Sequence, residues 1–357
     1  MKCAFVDLGK HFGGAENYLF TVIKSWMKDG NTAILILRNN SEFHMKAISE
    51  LKNVEIIPVE FKFKDFLYVK KRLLNCDLLN INGINSGVFI RMCFTKIPKV
   101  TTVHSNSYMD RVERKKIIRL LFVYLENWCL KDATKIICVS EAIQQVLEKR
   151  GVDKNKTLVI HNGVKLIEYP CKQLRSEKQS ELKLCFIGRL EKVKGCEILL
   201  RALKNLKNYN IKCDIYGVGT LENDLKKVAC DNELSNIVSF KGFSKEIRSV
   251  LPKYDVVILP SLFEAFPLTI PEAMNAKTLI VCSNVGGMPW IIKEGYNGHL
   301  FQSENFNELQ NCLLEIYHNP NSQVPLINNA YDDFVNQYSE DIMISRTLKI
   351  FKSAVKK

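Results

Sequence analysis

Residues 255–276 read DVVILPSLFEAFPLTIPEAMNA, and this stretch decides the fold. Its apolar residues 256–259 form a run short enough for a buried strand. Pro260 and Ser261 end that strand, a loop follows, and Pro271 suits the first turn of a helix. The order strand, loop, helix is typical of an open parallel sheet, in which ligands bind at the carboxyl ends of the strands.

Two carboxylates, Glu264 and Glu272, lie in this loop and at the start of this helix. The first N–H groups of a helix favour negative charge, and carboxylates accept paired hydrogen bonds from vicinal hydroxyls. The pair therefore suits a sugar or a ribose. The alternative is that Glu272 complements a helix dipole and Glu264 is a solvated loop residue, and spacing alone favours this alternative.

Apolar runs alternate with helical patterns along the rest of the chain. This alternation predicts an α/β protein with parallel sheets. The polar stretch 169–183 reads as a surface linker between two halves. The predicted strands are 3–8, 32–38, 54–59, 78–81, 99–103, 135–139 and 158–160 before the linker, and 184–187, 212–216, 237–240, 255–259, 278–282 and 299–301 after it.

The composition is that of a globular protein of two domains, with 357 residues, 46% hydrophobic and 25% charged. No apolar run approaches the ~18 residues that span a bilayer, and the N-terminus reads as a first strand rather than a signal peptide. Twelve scattered cysteines without metal-ligand spacing favour reduced thiols in a cytoplasmic protein. The net charge of +13 favours an anionic partner: a membrane surface, a nucleic acid or a phosphorylated substrate.

Two features of the first half lie beside predicted strand ends. Gly13 and Gly14 precede a helix, where glycine lets the backbone approach a ligand and the helix N-terminus attracts anions. The alternative is a tight turn. His104 follows a strand and is expected at the carboxyl edge of the sheet, with a structural His bonded to a nearby carbonyl as the alternative.

The second half carries two cations between its first predicted strand and the helix that follows. Arg189 follows its first strand, and Lys194 lies just before a helix. Two cations with helix N–H groups behind them suit a diphosphate, although Lys192 nearby leaves a solvated basic loop as the alternative. Gly217 and Gly219 follow the next strand and permit close approach of the chain to a nucleotide.

These residues, taken in order, resemble a known family. Glu264 and Glu272, with seven residues between them, are similar to the two-glutamate motif of retaining glycosyltransferases of family 4, which have the GT-B fold. The chain departs from the common pattern of the family at Ala265, Pro267 and Trp290. These departures are expected to affect which donor sugar the site accepts. The resemblance spans nearly the whole chain and extends to residues 13–16, 188–190, 194–195, 285–287 and 297–298.

The resemblance implies two Rossmann-like, doubly wound domains that face a central cleft. We expect an acceptor-binding domain at residues 1–168 and a nucleotide-sugar-binding domain at residues 183–335. Residues 336–357 are expected to form a C-terminal helix that crosses back to the first domain.

The resemblance also implies roles for the motif residues. Glu264 would bond hydroxyls of the transferred sugar, and Glu272 would hold the ribose hydroxyls of the nucleotide. Backbone N–H groups around Phe266 and Leu268 would lie near the sugar or the diphosphate, and Pro267 between them is expected at the same binding site.

The remaining roles concern charge and the acceptor side. Gly13 and Gly14 would lie near the diphosphate and the acceptor, and His104 would contact the donor sugar. Arg189 and Lys194 would replace the divalent ion of other sugar transferases, because no Asp-x-Asp motif lies in a convincing loop. No metal and no cofactor are therefore expected.

The predicted activity is transfer of a sugar, with retention, from a nucleoside diphosphate sugar to a hydroxyl of a glycan or a lipid-linked saccharide. A UDP-sugar is the expected donor, and lipopolysaccharide or capsule synthesis is the expected setting. The expected place is the cytoplasm, with peripheral contact to the inner face of the membrane. The alternatives are another sugar-nucleotide enzyme of this fold, an epimerase or a phosphorylase, and a basic non-enzymatic adaptor for membrane or nucleic acid. Nucleic acid is not an expected partner, because no recognised motif appears.

Two stretches combine basic and aromatic residues, at positions 61–74 (FKFKDFLYVKKRLL) and 111–130 (RVERKKIIRLLFVYLENWCL). Such a mixture is typical of a helix that lies on an anionic membrane surface. The alternative is an ordinary domain helix with its apolar side in the core, and for the second stretch both interpretations have equal weight.

Overall fold

The computed structural model describes residues 1–10, 13–108, 114–170 and 180–355. Contacts divide the chain into unit 1, Met1–Gly163 with Glu340–Lys357, and unit 2, Val164–Ser339. Most of the predicted linker 169–183 and the first residues of the basic stretch 111–130 lie outside the described residues.

The sheet of unit 1 is parallel throughout, and its strand order reverses between the first and fourth strands, which is the doubly wound pattern. The strands are β1 (Lys2–Asp7), β2 (Thr32–Arg38), β3 (Glu55–Val59), β4 (Leu78–Asn82), β5 (Lys99–Val103), β6 (Lys135–Cys138) and β7 (Thr157–Val159), in the order β3-β2-β1-β4-β5-β6-β7. The register places Asp7 of β1 beside Asn82 of β4, and Asn82 beside Thr102 of β5, so these strands end together.

Helices cover both faces of this sheet. They are α1 (Gly14–Lys28), α2 (Glu42–Glu50), α3 (Phe63–Leu73), α4 (Gly83–Met92), α5 (Lys116–Leu130) and α6 (Glu141–Lys149). Cys3 and Phe5 of β1 pack in one core with α1 and α2, whereas Ala4 and Val6 pack in a second core with α3 and α4. Alternate residues of a strand thus serve opposite faces, which explains why the buried strands are almost wholly apolar.

Unit 2 repeats this arrangement with a sheet in the order β10-β9-β8-β11-β12-β13, again parallel. Its strands are β8 (Leu182–Ile187), β9 (Ile211–Tyr216), β10 (Val238–Gly242), β11 (Val256–Leu259), β12 (Leu279–Ser283) and β13 (His299–Phe301). Its helices are α7 (Cys196–Lys204), α8 (Glu222–Asp231), α9 (Ile247–Val250), α10 (Thr269–Asn275), α11 (Met288–Ile291), α12 (Phe306–His318) and α13 (Val324–Asp333).

Each of the thirteen predicted strands overlaps a strand of the structure, and the prediction of two parallel α/β sheets is confirmed. The opening stretch forms β11, a loop and α10, with Pro271 in the first turn of α10 as predicted. The strand order reverses between β8 and β11, so the loops after these two strands meet at the carboxyl edge of the sheet.

The last helix, α14 (Glu340–Val355), belongs to the core of unit 1. Its Phe351 is fully buried, and its ring centroid lies 6.1 Å from that of Phe5 and 5.9 Å from that of Trp26. Trp26 is in turn fixed by a 2.9 Å hydrogen bond from its Nε1 to the carbonyl of Thr32. A segment from the far end of the sequence therefore completes the core around β1.

Two further observations apply to the described part of the chain. None of its helices combines the length and the apolar character that a bilayer span requires. None of its cysteines forms a disulfide, and most of them are buried.

We expect Phe351→Ala to destabilise unit 1 by about 3–5 kcal/mol, because truncation of a buried aromatic side chain leaves a cavity beside Phe5 and Trp26. Urea unfolding followed by tryptophan fluorescence measures the change. The matched control is Lys349→Ala on the exposed side of the same helix, which should stay within about 0.5 kcal/mol of the unmodified protein. Equal stability of the two variants would show that α14 does not contribute to this core.

Candidate functional site

A pocket of about 310 Å³ lies at the carboxyl edge of the unit 2 sheet, where β8 and β11 end. We call it the unit 2 pocket. It is at the reversal of strand order, the place where doubly wound sheets bind ligands. Its polar and loop residues are Gly188, Arg189, Lys194, Ser261, Glu264, Phe266, Pro267, Leu268 and Thr269.

Lys194 and Glu264 form a mostly buried ion pair in this pocket. Lys194 Nζ lies 2.5 Å from Glu264 Oε1, and Ser261 Oγ donates to the same oxygen at 3.0 Å. Within the part of the chain that the structure describes, the second carboxylate oxygen, Oε2, has no hydrogen-bond partner. The pair therefore presents ammonium hydrogens and a carboxylate oxygen to a polar ligand.

Two glycines hold the loops that carry this ion pair. Gly195 has φ +65°, and a Cβ there would lie 1.9 Å from the carbonyl oxygen of Pro260. Gly286 has φ +57°, and a Cβ there would lie 2.0 Å from the carbonyl oxygen of Glu264, which accepts a 2.8 Å hydrogen bond from Gly287 N–H. Only glycine fits such contacts, so both glycines fix the backbone around the site.

Arg189 lies at the same pocket with an exposed side chain, and its guanidinium has no hydrogen-bond partner among the residues that the structure describes. The predicted glycines after β9 support this loop. A Cβ at Gly217 would lie 1.8 Å from the oxygen of Gly188, and one at Gly219 would lie 2.4 Å from the oxygen of Leu190. Close approach of two chain segments therefore requires both glycines, and neither lines the pocket.

Glu272, in the first turn of α10, is mostly buried and does not line the unit 2 pocket. Its Oε1 accepts a 3.2 Å hydrogen bond from Arg248 Nε. Burial raises the pKa of Glu272, and the positive charge of Arg248 opposes that rise. Arg248 thus favours the ionised form of a carboxylate that is otherwise desolvated.

A second pocket, of about 230 Å³, lies at the carboxyl edge of the unit 1 sheet. Its polar lining comes from β1, β4 and β5, which end together at the reversal of strand order, and from α1, through Asp7, Asn82, His104 and Glu16. Gly13 does not line it, but its N–H donates to Glu16 Oε2 at 2.9 Å, and the adjacent Gly14 begins α1.

His104 has a defined tautomer in this pocket. Asn82 Nδ2 donates to Asn80 Oδ1 at 3.0 Å, so Asn82 Oδ1 is left to accept from His104 Nε2, also at 3.0 Å. Nδ1 is then an acceptor, and it is buried without a partner among the described residues. Burial lowers the pKa of His104 to about 4, so the ring is neutral at pH 7.

The carboxyl of Asp7 is buried in the same pocket. Burial raises its pKa to about 7, the charge of Glu16 adds to the rise, and a 2.9 Å hydrogen bond from Gly9 N–H opposes it. The pocket therefore holds a carboxyl that titrates near neutral pH.

Of the site residues named from sequence, Arg189, Lys194, Glu264, Phe266, Pro267 and Leu268 line the unit 2 pocket, whereas Glu272, Gly217 and Gly219 lie outside it. Sequence reasoning missed Ser261, although its place two residues after the end of β11 was a usable signal. It also missed Arg248, which lies 24 residues from Glu272 with no local pattern to join them. Among the described residues, no three His, Cys, Asp or Glu side chains are grouped so as to hold a metal ion.

Comparison with known proteins gives two family models that together match most of the chain. Glycosyltransferase family 4 matches residues 12–167, and glycosyl transferases group 1 matches residues 172–333.

Two characterised relatives are similar in sequence. UDP-Gal:alpha-D-GlcNAc-diphosphoundecaprenol alpha-1,3-galactosyltransferase of Escherichia coli is 26% identical over an alignment of 282 positions that covers 74% of this chain and 72% of that protein. N,N'-diacetylbacillosaminyl-diphospho-undecaprenol alpha-1,3-N-acetylgalactosaminyltransferase of Campylobacter jejuni is 24% identical over a gapped alignment of 372 positions that covers 96% of this chain and 97% of that protein.

Among solved structures, Alr3699/HepE of Anabaena in complex with UDP has a TM-score of 0.86. It is 21% identical, and the match covers 99% of this chain and 100% of that one. At this identity the likeness shows the fold.

We expect stability to depend on pH through Asp7. Because its pKa is about 7 in the folded protein against an ordinary value of 3.8, the folded state binds a proton more tightly than the unfolded state. The stability that the folded protein gains from proton binding at Asp7 is therefore complete below pH ~4 and is lost as the pH rises through 7. Relative to Asp7→Asn, which does not titrate, the unmodified protein should lose on the order of 2–4 kcal/mol between pH 4 and pH 8.

Urea unfolding of both proteins across this pH range measures the difference in stability, which cancels the titration of other groups. A difference that stays constant with pH would contradict the assignment for Asp7.

Proposed function

The chain belongs to the glycosyltransferases of group 1 and family 4 and has their GT-B fold, and from this we propose that it is a retaining enzyme that uses a nucleoside diphosphate sugar. The sugar passes to a hydroxyl of a glycan or a lipid-linked saccharide. The observation that carries the proposal is the meeting of Arg189, Lys194 and Glu264 in one pocket at the carboxyl edge of the unit 2 sheet.

In this proposal Arg189 and Lys194 bind the diphosphate. Breaking the sugar–phosphate bond puts negative charge on the leaving nucleoside diphosphate, and fixed cations stabilise that charge more as it grows. Lys194 is held in place by Glu264, and the glycine contacts fix the backbone that carries Arg189. Lys194 is thus positioned before the charge develops, which lowers the barrier rather than only binding the substrate.

Glu264 is proposed to bind hydroxyls of the transferred sugar through the oxygen that Lys194 and Ser261 leave unused. Phe266, Pro267 and Leu268 line the same pocket, and the backbone N–H groups of Phe266 and Leu268 are proposed to lie near the sugar or the diphosphate.

Glu272 is proposed to hold the ribose hydroxyls, with Arg248 favouring its ionised form. His104, neutral at pH 7, is proposed to contact the donor sugar, and Gly13 and Gly14 to lie near the diphosphate and the acceptor. Arg189 and Lys194 supply positive charge of the kind that other sugar transferases obtain from a divalent ion. We therefore propose a reaction that needs no metal and no cofactor.

The relatives support a donor and an acceptor class. The Anabaena protein is solved with UDP, and the E. coli relative is named for UDP-galactose, so we propose a UDP-sugar as the donor. Both characterised relatives act on undecaprenyl diphosphate saccharides, which supports a lipid-linked saccharide as the acceptor.

The proposed setting is surface polysaccharide synthesis, lipopolysaccharide or capsule, in the cytoplasm and peripheral to the inner face of an anionic membrane. The family membership favours this transfer over an epimerase, a phosphorylase or a non-enzymatic adaptor.

Replacing Lys194 or Glu264 by Ala should lower kcat/KM for sugar transfer by two or more orders of magnitude, because each removes a charged group aimed at the reacting region. The assay measures release of the nucleoside diphosphate and transfer to an undecaprenyl diphosphate saccharide. Lys192→Ala is the matched control, since Lys192 is exposed and does not line the pocket, and it should retain activity within about twofold. Near-normal rates in both site variants would refute the site, and an inverted anomeric centre in the product would refute retention.

UDP-sugars, but not GDP- or ADP-sugars, should raise the melting temperature of the protein. Ligand at 100 times its Kd stabilises the folded state by about 2.7 kcal/mol. The shift and the turnover should persist in excess chelator, and Arg189→Ala should reduce the shift. Loss of turnover in the chelator, restored by Mg²⁺ or Mn²⁺, would overturn the proposed metal independence.

A further inference from the structure

The outer side of α5 carries an apolar stripe that faces away from the core of unit 1. Its members lie three or four residues apart, so they share one side of the helix, and each is between 50% and 75% exposed. A domain helix normally turns such a stripe toward the core. The inward residues of α5 include instead the buried Glu126 and Leu130. The stripe consists of Ile117, Leu120, Leu121 and Tyr124.

The outer side of α3 continues this apolar character. Phe63 and Leu67 are 78% and 58% exposed, whereas Val69 and Leu73, on the inner side, are buried. Phe94, just after α4, is 83% exposed. Exposed aromatic and aliphatic side chains at neighbouring places indicate a surface that contacts something apolar.

α4 lies between α3 and α5 in one layer. The rings of Phe66 on α3 and Phe89 on α4 stack with centroids 4.6 Å apart. A Cβ at Gly87 of α4 would lie only 3.0 Å from Cβ of Cys129 on α5. The outer sides of the three helices therefore face the same way. We call the exposed residues of α3, α5 and Phe94 the α3–α5 face.

Cations surround these apolar residues, and six of them form no ion pair with any described residue. By contrast, Arg72 on α3 pairs with Glu55, so it is not one of these six unpaired cations. Exposed apolar side chains within unpaired positive charge are the chemistry of a surface that lies on an anionic bilayer. The six cations are Lys64, Lys70, Lys71, Arg114, Lys115 and Lys116.

We propose that the α3–α5 face of unit 1 docks on an anionic lipid bilayer. The apolar side chains enter the boundary between headgroups and acyl chains, and the six cations contact anionic headgroups. A second copy of this chain fits less well, since pairing two such faces would bring twelve unpaired cations together. A nucleic acid would leave the aliphatic residues of the stripe in water.

The inner side of α5 is tied to the loop that follows β5. Ser107 Oγ donates to Glu126 Oε1 at 2.6 Å, and Arg119 Nε donates to the carbonyl of Tyr108 at 2.9 Å. This loop begins with His104, so a bilayer on the outer side of α5 lies about one helix diameter, ~10 Å, from the loop. This consequence rests on the proposed function: docking brings unit 1 to a lipid-linked acceptor that the membrane already orients.

Flotation with vesicles of phosphatidylcholine alone and with 30% phosphatidylglycerol added, at about 0.1 M salt, tests the surface. The full chain should float with the anionic vesicles only. Ile117→Ser combined with Leu121→Ser, and separately Lys70→Glu combined with Lys71→Glu, should each reduce the bound fraction on the order of tenfold.

Matched controls carry the same changes elsewhere. Met45→Ser with Ile48→Ser removes equally exposed apolar side chains from α2, and Lys227→Glu with Lys245→Glu makes the same change in charge on unit 2. Both should float like the unmodified protein. Melting temperatures should agree among all variants, which shows that each is folded.

Equal flotation with both vesicle types, absence of flotation, or loss of flotation in the controls as much as in the α3–α5 variants would each overturn the docking surface. So would a dimer in solution that Ile117→Ser with Leu121→Ser dissociates without any vesicle binding. Binding of UDP-sugar, measured by thermal shift, should be unchanged in the α3–α5 variants. A chain that floats as expected but binds no nucleotide sugar would refute the proposed function and leave the docking surface intact.

Discussion

The reversal of strand order between β8 and β11 is the constraint on which the candidate site depends. Neighbouring parallel strands whose connections leave in opposite directions cannot cover the edge between them with a helix. The loop after β8 brings Lys194 to this edge, and the loop after β11 brings Glu264, so an ion pair forms between residues 70 positions apart. Contacts at Gly195 and Gly286 then prevent either loop from relaxing away.

Much of this fold could be predicted from sequence because its signals are local. A buried parallel strand needs an unbroken apolar run of four to eight residues, and such runs mark β1, β2 and β11 directly. The candidate residues Arg189 and Glu264 could be predicted for a related reason, since each follows such a run and the carboxyl ends of parallel strands share one edge. Their roles came from the family pattern and not from spacing.

Other features depend on contacts that no local pattern reports. Arg248 meets Glu272 only because α9 and α10 come together in the fold, and no spacing rule joins them. The α5 helix is a sharper case. Its stripe has the same periodicity whether it faces the core or the solvent, and the sequence left both interpretations open. The structure shows that the stripe is on the exposed side, because the buried Glu126 is satisfied by Ser107 and Arg150 on the inner side.

The position of α14 has a consequence for how the protein is made. During synthesis, β1 and α1 leave the ribosome first, but Phe351, which closes the core around Phe5 and Trp26, is translated only after all of unit 2. Domains generally fold as units while the chain grows. Unit 2 is continuous in sequence and can finish during elongation, whereas the nascent unit 1 must wait with an unfilled groove until the ribosome reaches α14.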